Sequence, residues 1–296
     1  MPTTIYKGVE EKFVLTIGVI PNTDKKNVNV LLARVIRFFS NKEVELIIEE
    51  KAAINLGYPQ LAVDSLLKRN VNLVLTLGGD GTLLSACRVL AKKNIPVCGI
   101  NIGRLGFLAD IELAEIESKL QKIIEGEYQV EERLMIDAMI KRNGVMSYVG
   151  AAINDVVVTK GGFSRMIRLG LSVDDCLIAN YQADGVIIST STGSTGYSLS
   201  AGGPIVHPSL KVLLITPICP HTLNARPLII SDEEEARVNI TATHHDIVLT
   251  IDGQVSHNLV SEDEVIVRKS ALIARVIKFD DKNYYKTIRT KLWRGD

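Results

Sequence analysis

The chain has 296 residues, with 34 Lys and Arg against 34 Asp and Glu and a hydrophobic fraction of 46%. That hydrophobic fraction excludes a mainly disordered chain, and the zero net charge excludes the basic surface of a general nucleic-acid or anionic-membrane binder. The apolar runs are much shorter than the roughly 18 residues of a membrane-spanning helix, and the length favours two domains.

The amino terminus lacks the basic and apolar regions of a secretory signal, so we expect a cytoplasmic protein. The cysteines are scattered without a C-x-x-C pair, and we expect buried, reduced thiols at Cys87, Cys98, Cys176 and Cys219.

In chain order, the first half alternates apolar runs of strand length with stretches of helical periodicity. Strands with apolar residues on both faces, separated by helices, predict a parallel sheet covered on both sides, so residues from about 10 to 133 are expected to form a doubly wound α/β domain. The predicted strands are Phe13–Ile20, Val44–Ile48, Val71–Leu77 and Ile95–Ile100, and the predicted helices are Val28–Phe39, Leu61–Lys68 and Leu83–Lys93.

The second half has β-branched runs between Gly, Asn, Asp or Pro turns and little helical periodicity, which predicts a β-sandwich or layered-sheet domain. The tail Tyr284–Trp293 regains helical spacing and is expected to return to the first domain. We therefore predict an α/β domain of residues 1–133 and 276–296 and a β-rich domain of residues 134–275. The predicted strands are Leu134–Lys141, Tyr148–Thr159, Ile167–Val173, Val186–Thr190, Val212–Thr216, Ala236–Thr241, Asp246–Asp252 and Val265–Arg268.

A glycine-rich loop, Gly78-Gly79-Asp80-Gly81-Thr82, follows a predicted strand and begins a helix. Its backbone N–H groups are placed to bind phosphate, although it is neither a Walker A loop nor a G-x-G-x-x-G fingerprint. A carboxylate among phosphate-facing amides repels the ligand unless it holds Mg²⁺ or accepts a proton from an attacking hydroxyl. The alternative is a tight turn with a helix N-cap.

The pair Asn154-Asp155 interrupts an apolar stretch. The Asn amide can pair with a purine edge, and the carboxylate can accept from two ribose hydroxyls. By itself such a pair is most often a turn.

A segment from Asp184 to Pro208 is dense in Ser, Thr and Gly directly after an apolar strand. It offers many hydrogen bonds to a ligand close to the backbone. Tyr197 is suited to stack on a ring, and Asp184 to hold sugar hydroxyls or a charged ring. A flexible linker is disfavoured because apolar strands flank the segment.

These three motifs, together with the run from Thr216 to Pro227 and Asp252-Gly-Gln254, have the order and spacing of the NAD kinases, which the chain resembles over most of its length. The glycine-rich loop alone also resembles that of lipid kinases. The resemblance implies phosphorylation of the adenosine-ribose 2′-hydroxyl of NAD by ATP or polyphosphate to give NADP, with Mg²⁺ or another divalent cation carried mainly by the donor and no metal ligands expected from the chain.

The resemblance also assigns roles to individual residues. Asp80 is expected to accept the proton, and Gly78, Gly79, Gly81 and Thr82 to form the phosphate-donor loop. Family members pair so that one subunit contributes to its neighbour's site, which implies a homo-oligomer, a dimer or tetramer. The expected NAD-binding residues are Asp80, Gly81, Phe107, Asn154, Asp155, Arg165, Gln182, Asp184, Thr192, Thr195, Gly196, Tyr197, Ser198, Ser200 and Gln254.

Two positions depart from the family pattern: Ser191 stands where Pro is common, and Gly196 stands where Ala is common. Gln182 is similar to members that prefer NAD over NADH. Two other functions remain open: a non-catalytic sensor of NAD(H) or NADP(H), which the loop carboxylate disfavours, and a lipid kinase, which the Asp184–Pro208 segment disfavours.

Overall fold

The computed structural model describes residues 14–103, 106–162, 165–221, 224–281 and 283–292. Phe13, Trp293 and residues 222–223 of the predicted motifs lie outside the described residues. None of the described helices is both long enough and apolar enough to cross a membrane.

The first half is an α/β unit with a parallel sheet in the order β3-β2-β1-β4-β5. Helices α1 and α4 bury their apolar residues on one face of this sheet, and α3 buries its own on the other. The strands are β1 (Leu15–Pro21), β2 (Val44–Glu49), β3 (Ala62–Val63), β4 (Leu73–Gly78) and β5 (Val97–Asn101), and the helices are α1 (Val28–Phe39), α2 (Glu50–Asn55), α3 (Asp80–Leu90) and α4 (Ile116–Glu125).

Strands β1 and β4 lie side by side, but the chain leaves them in opposite directions across the sheet. After β1 the chain continues through β2 and β3, and after β4 it continues to β5. Such a switch point opens a crevice at the carboxyl ends of the two strands, where open α/β sheets bind ligands. The glycine-rich loop at the end of β4 is therefore at the place where this topology favours a site.

The second half is mostly β, as the sequence predicts. A sheet in the order β13-β12-β11-β8-β15-β16 packs against strands β6, β7, β9, β14 and β17. The strands are β6 (Gln129–Arg142), β7 (Val145–Ala152), β8 (Asp155–Lys160), β9 (Ile167–Val173), β10 (Cys176–Ala183), β11 (Gly185–Thr190), β12 (Val212–Ile218), β13 (Leu228–Ser231), β14 (Ala236–Thr241), β15 (Ile247–Ile251), β16 (Val255–Leu259) and β17 (Glu264–Lys278), and the helices are α5 (Tyr197–Ser200) and α6 (Tyr284–Leu292).

Strand β17 connects the two halves. Its first part pairs with β14, and Val276 near its end pairs with Val97 of β5. The register of β17 against β6 shifts between Lys269 and Ile273, which allows one strand to serve both sheet regions. After β17 the chain forms α6, whose Ile288 is buried.

Two predicted elements are wrong. Residues 61–68 do not form an α-helix. Instead, Ala62 of β3 pairs with Ile48 of β2, and Val63 is buried beside it. Short 3-10 turns precede and follow β3. The predicted strand Tyr148–Thr159 is two strands, broken at residues 153–154.

The cysteines are unpaired, as expected, and Cys87 and Cys98 are buried, but Cys176 and Cys219 are exposed, contrary to the prediction. Burial raises the pKa of the Cys87 thiol to about 12.

Candidate active site

A glycine turn ends β4 and begins α3. Gly79 stands immediately before the helix, and its carbonyl oxygen accepts from the amides of Thr82 and Leu83. The amides of Asp80 and Gly81 lie ahead of this pairing, at the positive dipole end of the helix. Asn22, which follows β1, donates to Thr82 Oγ1 at 3.1 Å. The turn is thereby fixed across the switch point with its amides available to an anion.

The Asp80 carboxylate is held by three consecutive backbone amides. Oδ1 accepts from Leu108 at 3.1 Å and Ala109 at 2.9 Å, and Oδ2 accepts from Phe107 at 2.6 Å. Since a carboxylate oxygen can accept two hydrogen bonds and Oδ2 accepts one from the described residues, it can accept another donor. Glycine is required at 106 for this approach, because a Cβ there would overlap the Asp80 carboxylate.

A polar groove of about 650 Å³ borders the glycine turn. Every residue that lines the groove is polar, cationic or glycine, and this composition suits a chain of phosphates better than an apolar ring. The groove is lined by Asn22, Lys25, Gly79, Gly81, Thr82, Ser85, Arg88 and Gln254.

The Asp252 carboxylate causes the break between β7 and β8. Its Oδ1 accepts from the amides of Ile153 at 3.1 Å, Asn154 at 2.8 Å and Asp155 at 3.2 Å. The Asp252 side chain is completely buried, and its charge is balanced by Arg88, whose Nη1 lies 3.1 Å from Oδ2. The Asn154-Asp155 corner is therefore built by an ion pair with helix α3.

The same arginine also holds Gln254. Arg88 Nη2 donates to Gln254 Oε1 at 2.9 Å, and Gln254 Nε2 donates to the carbonyl oxygen of Gly81 at 2.7 Å. We call Arg88, Asp252 and Gln254 the Arg88 brace. It fixes the glycine turn of the α/β half against the Asn154-Asp155 corner of the β half.

Asp155 is buried in this corner, with an exposed fraction of 5%. Burial and the negative charge of Asp252 raise the pKa of its carboxyl group to about 7, while the backbone amide of Tyr197 opposes this shift. Asp155 therefore changes charge near neutral pH.

The Ser/Thr/Gly segment is ordered by its own hydroxyl groups. Thr190 Oγ1 donates to the carbonyl oxygen of Ile153 at 2.5 Å and accepts from the amide of Gly193 at 3.1 Å. The Ser198 and Thr216 hydroxyls bond each other at 2.8 Å. Ser198 is thus buried in the support of the segment, and Thr192 is also buried, whereas Tyr197 and Ser200 are exposed and Thr195 and Gly196 are half-buried.

A cavity of about 430 Å³ joins the two halves. Phe107 and Leu108 of the loop on Asp80 face Thr192 and Thr195 of the Ser/Thr/Gly segment across it. Helix α6 closes one side with Tyr284 and Thr287. We call this cavity the cleft.

Three expected NAD-binding residues lie away from the cleft. Asp184 precedes β11, whereas Asn154 and Thr192 lie at the opposite end of that strand, whose last residue is six residues or roughly 20 Å along the chain from Asp184. Gln182 lies on the outer face of β10 beside Arg168, and the carbonyl oxygen of Arg165 accepts from His244. Within one chain, these residues do not meet Asp80.

The sequence reasoning missed Arg88, Tyr284 and Lys291, and it named Asp252 only as part of a motif, without a role. Arg88 shares a helix face with Ser85 and Lys92, so the helix pattern gives no signal for a buried partner, and only the Asp252-Gly-Gln254 motif points to it. The residues of α6 belong to no sequence motif, and only the structure shows that this helix lines the cleft.

Comparisons with known proteins match both halves. The family model "ATP-NAD kinase N-terminal domain" matches residues 17–128, and "ATP-NAD kinase C-terminal domain" matches residues 153–279. The chain is 42% identical to NAD kinase of Heliobacterium modesticaldum, covering 95% of this chain and 99% of that protein. It is also 42% identical to NAD kinase of Moorella thermoacetica, covering 94% and 89%.

Solved structures share the fold. Yeast NADH kinase complexed with NADH aligns with a TM-score of 0.87 at 23% identity, covering 97% of this chain and 89% of that one. An NAD kinase from Archaeoglobus fulgidus in complex with ATP aligns with a TM-score of 0.72 at 26% identity, covering 93% and 98%. Family models over both halves and relatives at 42% identity along nearly their full length lead to one conclusion: the chain belongs to the NAD kinase family.

Proposed function

We propose that this protein phosphorylates the 2′-hydroxyl of the adenosine ribose of NAD, with ATP or polyphosphate as donor, to give NADP. The observation that carries the proposal is the position of Asp80 at the head of α3, between Gly79 and Gly81 of the groove and bound by the amides of Phe107 and Leu108, which line the cleft. Among the described residues, Oδ2 accepts from Phe107 alone. The groove suits the donor phosphates, and the cleft suits the acceptor. The ATP-bound relative at 26% identity supports ATP as the donor.

Asp80 acts as the proton acceptor in this proposal. The three amides from the 107–109 loop fix the carboxylate, so its free lone pair on Oδ2 has one direction in which to meet the ribose hydroxyl. Alignment of the attacking oxygen with the terminal phosphorus then contributes most of the rate, as is general for phosphoryl transfer.

The donor-side residues fit a divalent cation that arrives with the phosphates. They are amide, hydroxyl and cationic groups, with Asp80 as the carboxylate at their border, which is too few oxygen ligands for a metal cage of the chain's own. Mg²⁺ usually binds through substrate phosphates and one or two carboxylates. When bound, the cation neutralises charge on the phosphates.

In this proposal the Asn154-Asp155 corner recognises adenosine. Asn154 Oδ1 is buried without a hydrogen-bond partner in the part of the chain that the structure describes, which leaves its amide able to pair with a purine edge. Asp155 accepts from ribose hydroxyls, and the exposed Tyr197 ring stacks on the base. Phe107, Thr192 and Thr195 contribute from the cleft, Gly196 and Ser200 from the segment that Ser198 supports, and Gln254 from the groove side.

Arg165, Gln182 and Asp184 contribute from a second copy of the chain. Their separation from Asp80 within one chain supports a dimer or tetramer with shared sites. Gln182 favours NAD over NADH. The unpaired cysteines are compatible with the cytoplasm, where we place the reaction.

The experiment is to incubate the purified chain with NAD, Mg²⁺ and either ATP or polyphosphate, and to detect NADP with an NADP-specific dehydrogenase. Asp80→Asn is expected to keep its thermal midpoint and its NAD binding and to lose at least about 100-fold in turnover. Asp64→Asn, at an exposed aspartate outside the site, is the matched control and should retain full turnover.

Three other outcomes would contradict parts of this proposal. An Asp80→Asn variant with near-normal turnover removes Asp80 as the proton acceptor. Saturable NAD or NADP binding without any NADP formed from either donor replaces the kinase with a sensor. Lipid phosphorylation in vesicles, with no NADP formed, replaces it with a lipid kinase.

A further inference from the structure

Helix α6 is fixed across the cleft by contacts with both halves of the chain. Tyr284 donates its hydroxyl to the carbonyl oxygen of Val206 at 3.0 Å, and its ring meets the His207 ring edge-on at 4.8 Å between centroids. One turn later, Ile288 is buried, with an exposed fraction of 4%. The last turn of α6 is therefore held in place above the loop that carries Phe107.

Lys291 in that last turn points its ammonium group at the active-site loop. Its Nζ lies 4.3 Å from the centroid of the Phe107 ring, and the Phe107 amide is the group that donates to Asp80 Oδ2. Partial burial lowers the pKa of Lys291, and the charge of Asp80 raises it. Lys291 and Asp80 thus both contact Phe107, Lys291 at its ring and Asp80 at its backbone amide.

No carboxylate among the described residues lies within ion-pair distance of Lys291. Desolvated cations are normally paired with an anion, and a cation over an aromatic ring recovers only part of that stabilisation. A half-buried ammonium that has no carboxylate partner among the described residues, beside a proposed phosphotransfer site, is therefore suited to an anion that is present only when substrate is bound.

The charges of the site leave a role for this cation. The glycine loop lacks the lysine with which a P-loop contacts its phosphates. On the groove side, Arg88 is already held by Asp252 and Gln254, and Lys25 lines the groove but not the cleft. Phosphoryl transfer places negative charge on the three equatorial oxygens of the moving group. Lys291 lies over the ring of Phe107, which lines the cleft on the proposed acceptor side.

We propose that Lys291 is a catalytic residue whose ammonium group leaves the Phe107 ring and contacts an equatorial oxygen of the phosphoryl group during transfer. This inference rests on the proposed function. In the step, the ribose 2′-oxygen bonds to the terminal phosphorus and its proton passes to Asp80 Oδ2. The bond from that phosphorus to its bridging oxygen breaks, and its electron pair stays with the shortened donor. Lys291 keeps its protons and balances charge throughout.

The structural alternative is that Lys291 only fastens α6 to Phe107. Lys291→Arg is compatible with both roles, but Lys291→Met distinguishes them. Methionine keeps an apolar stem on the Phe107 ring and removes the charge. If the charge acts on the transferring group, Lys291→Met lowers kcat and leaves NAD binding and stability nearly unchanged.

The test compares Lys291→Met, Lys291→Arg and Lys286→Met in the full chain. Lys286 is an exposed lysine on the same helix, and its variant carries the same change of charge. We expect Lys291→Met to lower kcat by about 100-fold with KM for NAD within about threefold, and Lys291→Arg to retain kcat within about tenfold. Lys286→Met should match the unmodified chain. Thermal midpoints and NAD binding are measured for each variant.

Lys291→Met with kcat within threefold of the unmodified chain overturns the proposal, as does a loss confined to KM for NAD. If Lys291→Met lowers the thermal midpoint by more than a few degrees, Lys291→Gln, which keeps a polar end, is measured in its place. A folded Lys291→Gln variant should show the same loss of kcat. A folded Lys291→Gln variant that remains active overturns the proposal. Failure of the unmodified chain to form NADP refutes the proposed function instead, so the two failures are distinguishable.

Discussion

Gly193 and Gly196 lie three residues apart in the Ser/Thr/Gly segment, yet they tolerate a side chain very differently. A Cβ at 193 would overlap the backbone carbonyl of Asn154, which a strand end fixes in place. A Cβ at 196 would lie 3.1 Å from the carbonyl oxygen of Gly193 and 3.5 Å from Asn154 Nδ2. These contacts require a shift of only a few tenths of an ångström.

We predict that Gly193→Ala destabilises the protein by about 3 kcal/mol or more and abolishes NAD binding, because the Asn154 corner must move. Gly196→Ala, which restores the residue common in the family, should change the free energy of unfolding by less than about 1 kcal/mol and lower KM for NAD about twofold to fourfold, since one methyl group is worth about 0.8 kcal/mol. Urea unfolding and initial rates check both, and equal effects of the two variants contradict the steric argument.

The raised pKa of Asp155 makes stability depend on pH. Because the pKa rises from 3.8 to about 7 on folding, the folded state binds more protons than the unfolded state between these values, and stability falls as pH rises through this window. We expect the unfolding free energy of the unmodified chain, minus that of Asp155→Asn, to fall by about 1.4 kcal/mol per pH unit up to about pH 7 and then to level off. Parallel pH curves for the two proteins would contradict the shift.

At the scale of elements, the Arg88 brace is the link between α3 and the turn after β15. Arg88→Ala leaves the Asp252 carboxylate buried without its cation, and we expect a loss of about 3 kcal/mol in the free energy of unfolding. Arg34→Ala is the matched control, because Arg34 joins α1 to α4 through the exposed Glu117 and such a pair contributes about 1 kcal/mol or less. Denaturant titration of both variants decides, and a loss for Arg88→Ala no larger than the control refutes the brace.

Several elements with a strong periodic pattern were predicted from sequence, although the amphipathic helix α4 was missed, and many short or tertiary-dependent elements were not predicted. Val28–Phe39 has bounds identical to those of α1, because its apolar stripe alone selects the helix. The prediction omits α2 and β10, and it ends β17 at residue 268, although the strand continues to Lys278 in contact with β5. Strand partners distant in sequence determine the extent of β17.

The site divides in the same way. The glycine turn follows from a local motif at a strand end. The Asn154-Asp155 pair is visible in the sequence, but its corner is fixed by Asp252, 98 residues from Asn154. The three amides on Asp80 and the contact of Lys291 with Phe107 join segments that are 27 and 184 residues apart in sequence. No local pattern predicts such contacts.

At the scale of the whole molecule, a single chain leaves Asp184 at the far end of β11 from the cleft, where its nearest cation is Lys160 at 3.6 Å. If a second copy brings its Asp184 to the first copy's Asp80, the two residues belong to different chains of one site. Variants that each lack one of them can then restore each other, whereas a site made within one chain cannot be restored by mixing.

We therefore predict that Asp80→Asn and Asp184→Ala are each inactive alone, and that a mixture refolded together recovers about a quarter of normal activity, because half of the random dimers are mixed and each mixed dimer has one intact site. Mixing Asp80→Asn with Asn154→Ala, whose defects lie on the same side of the cleft, is the control and should recover none. Activity of the first mixture no higher than that of its components would mean that each chain builds its site alone.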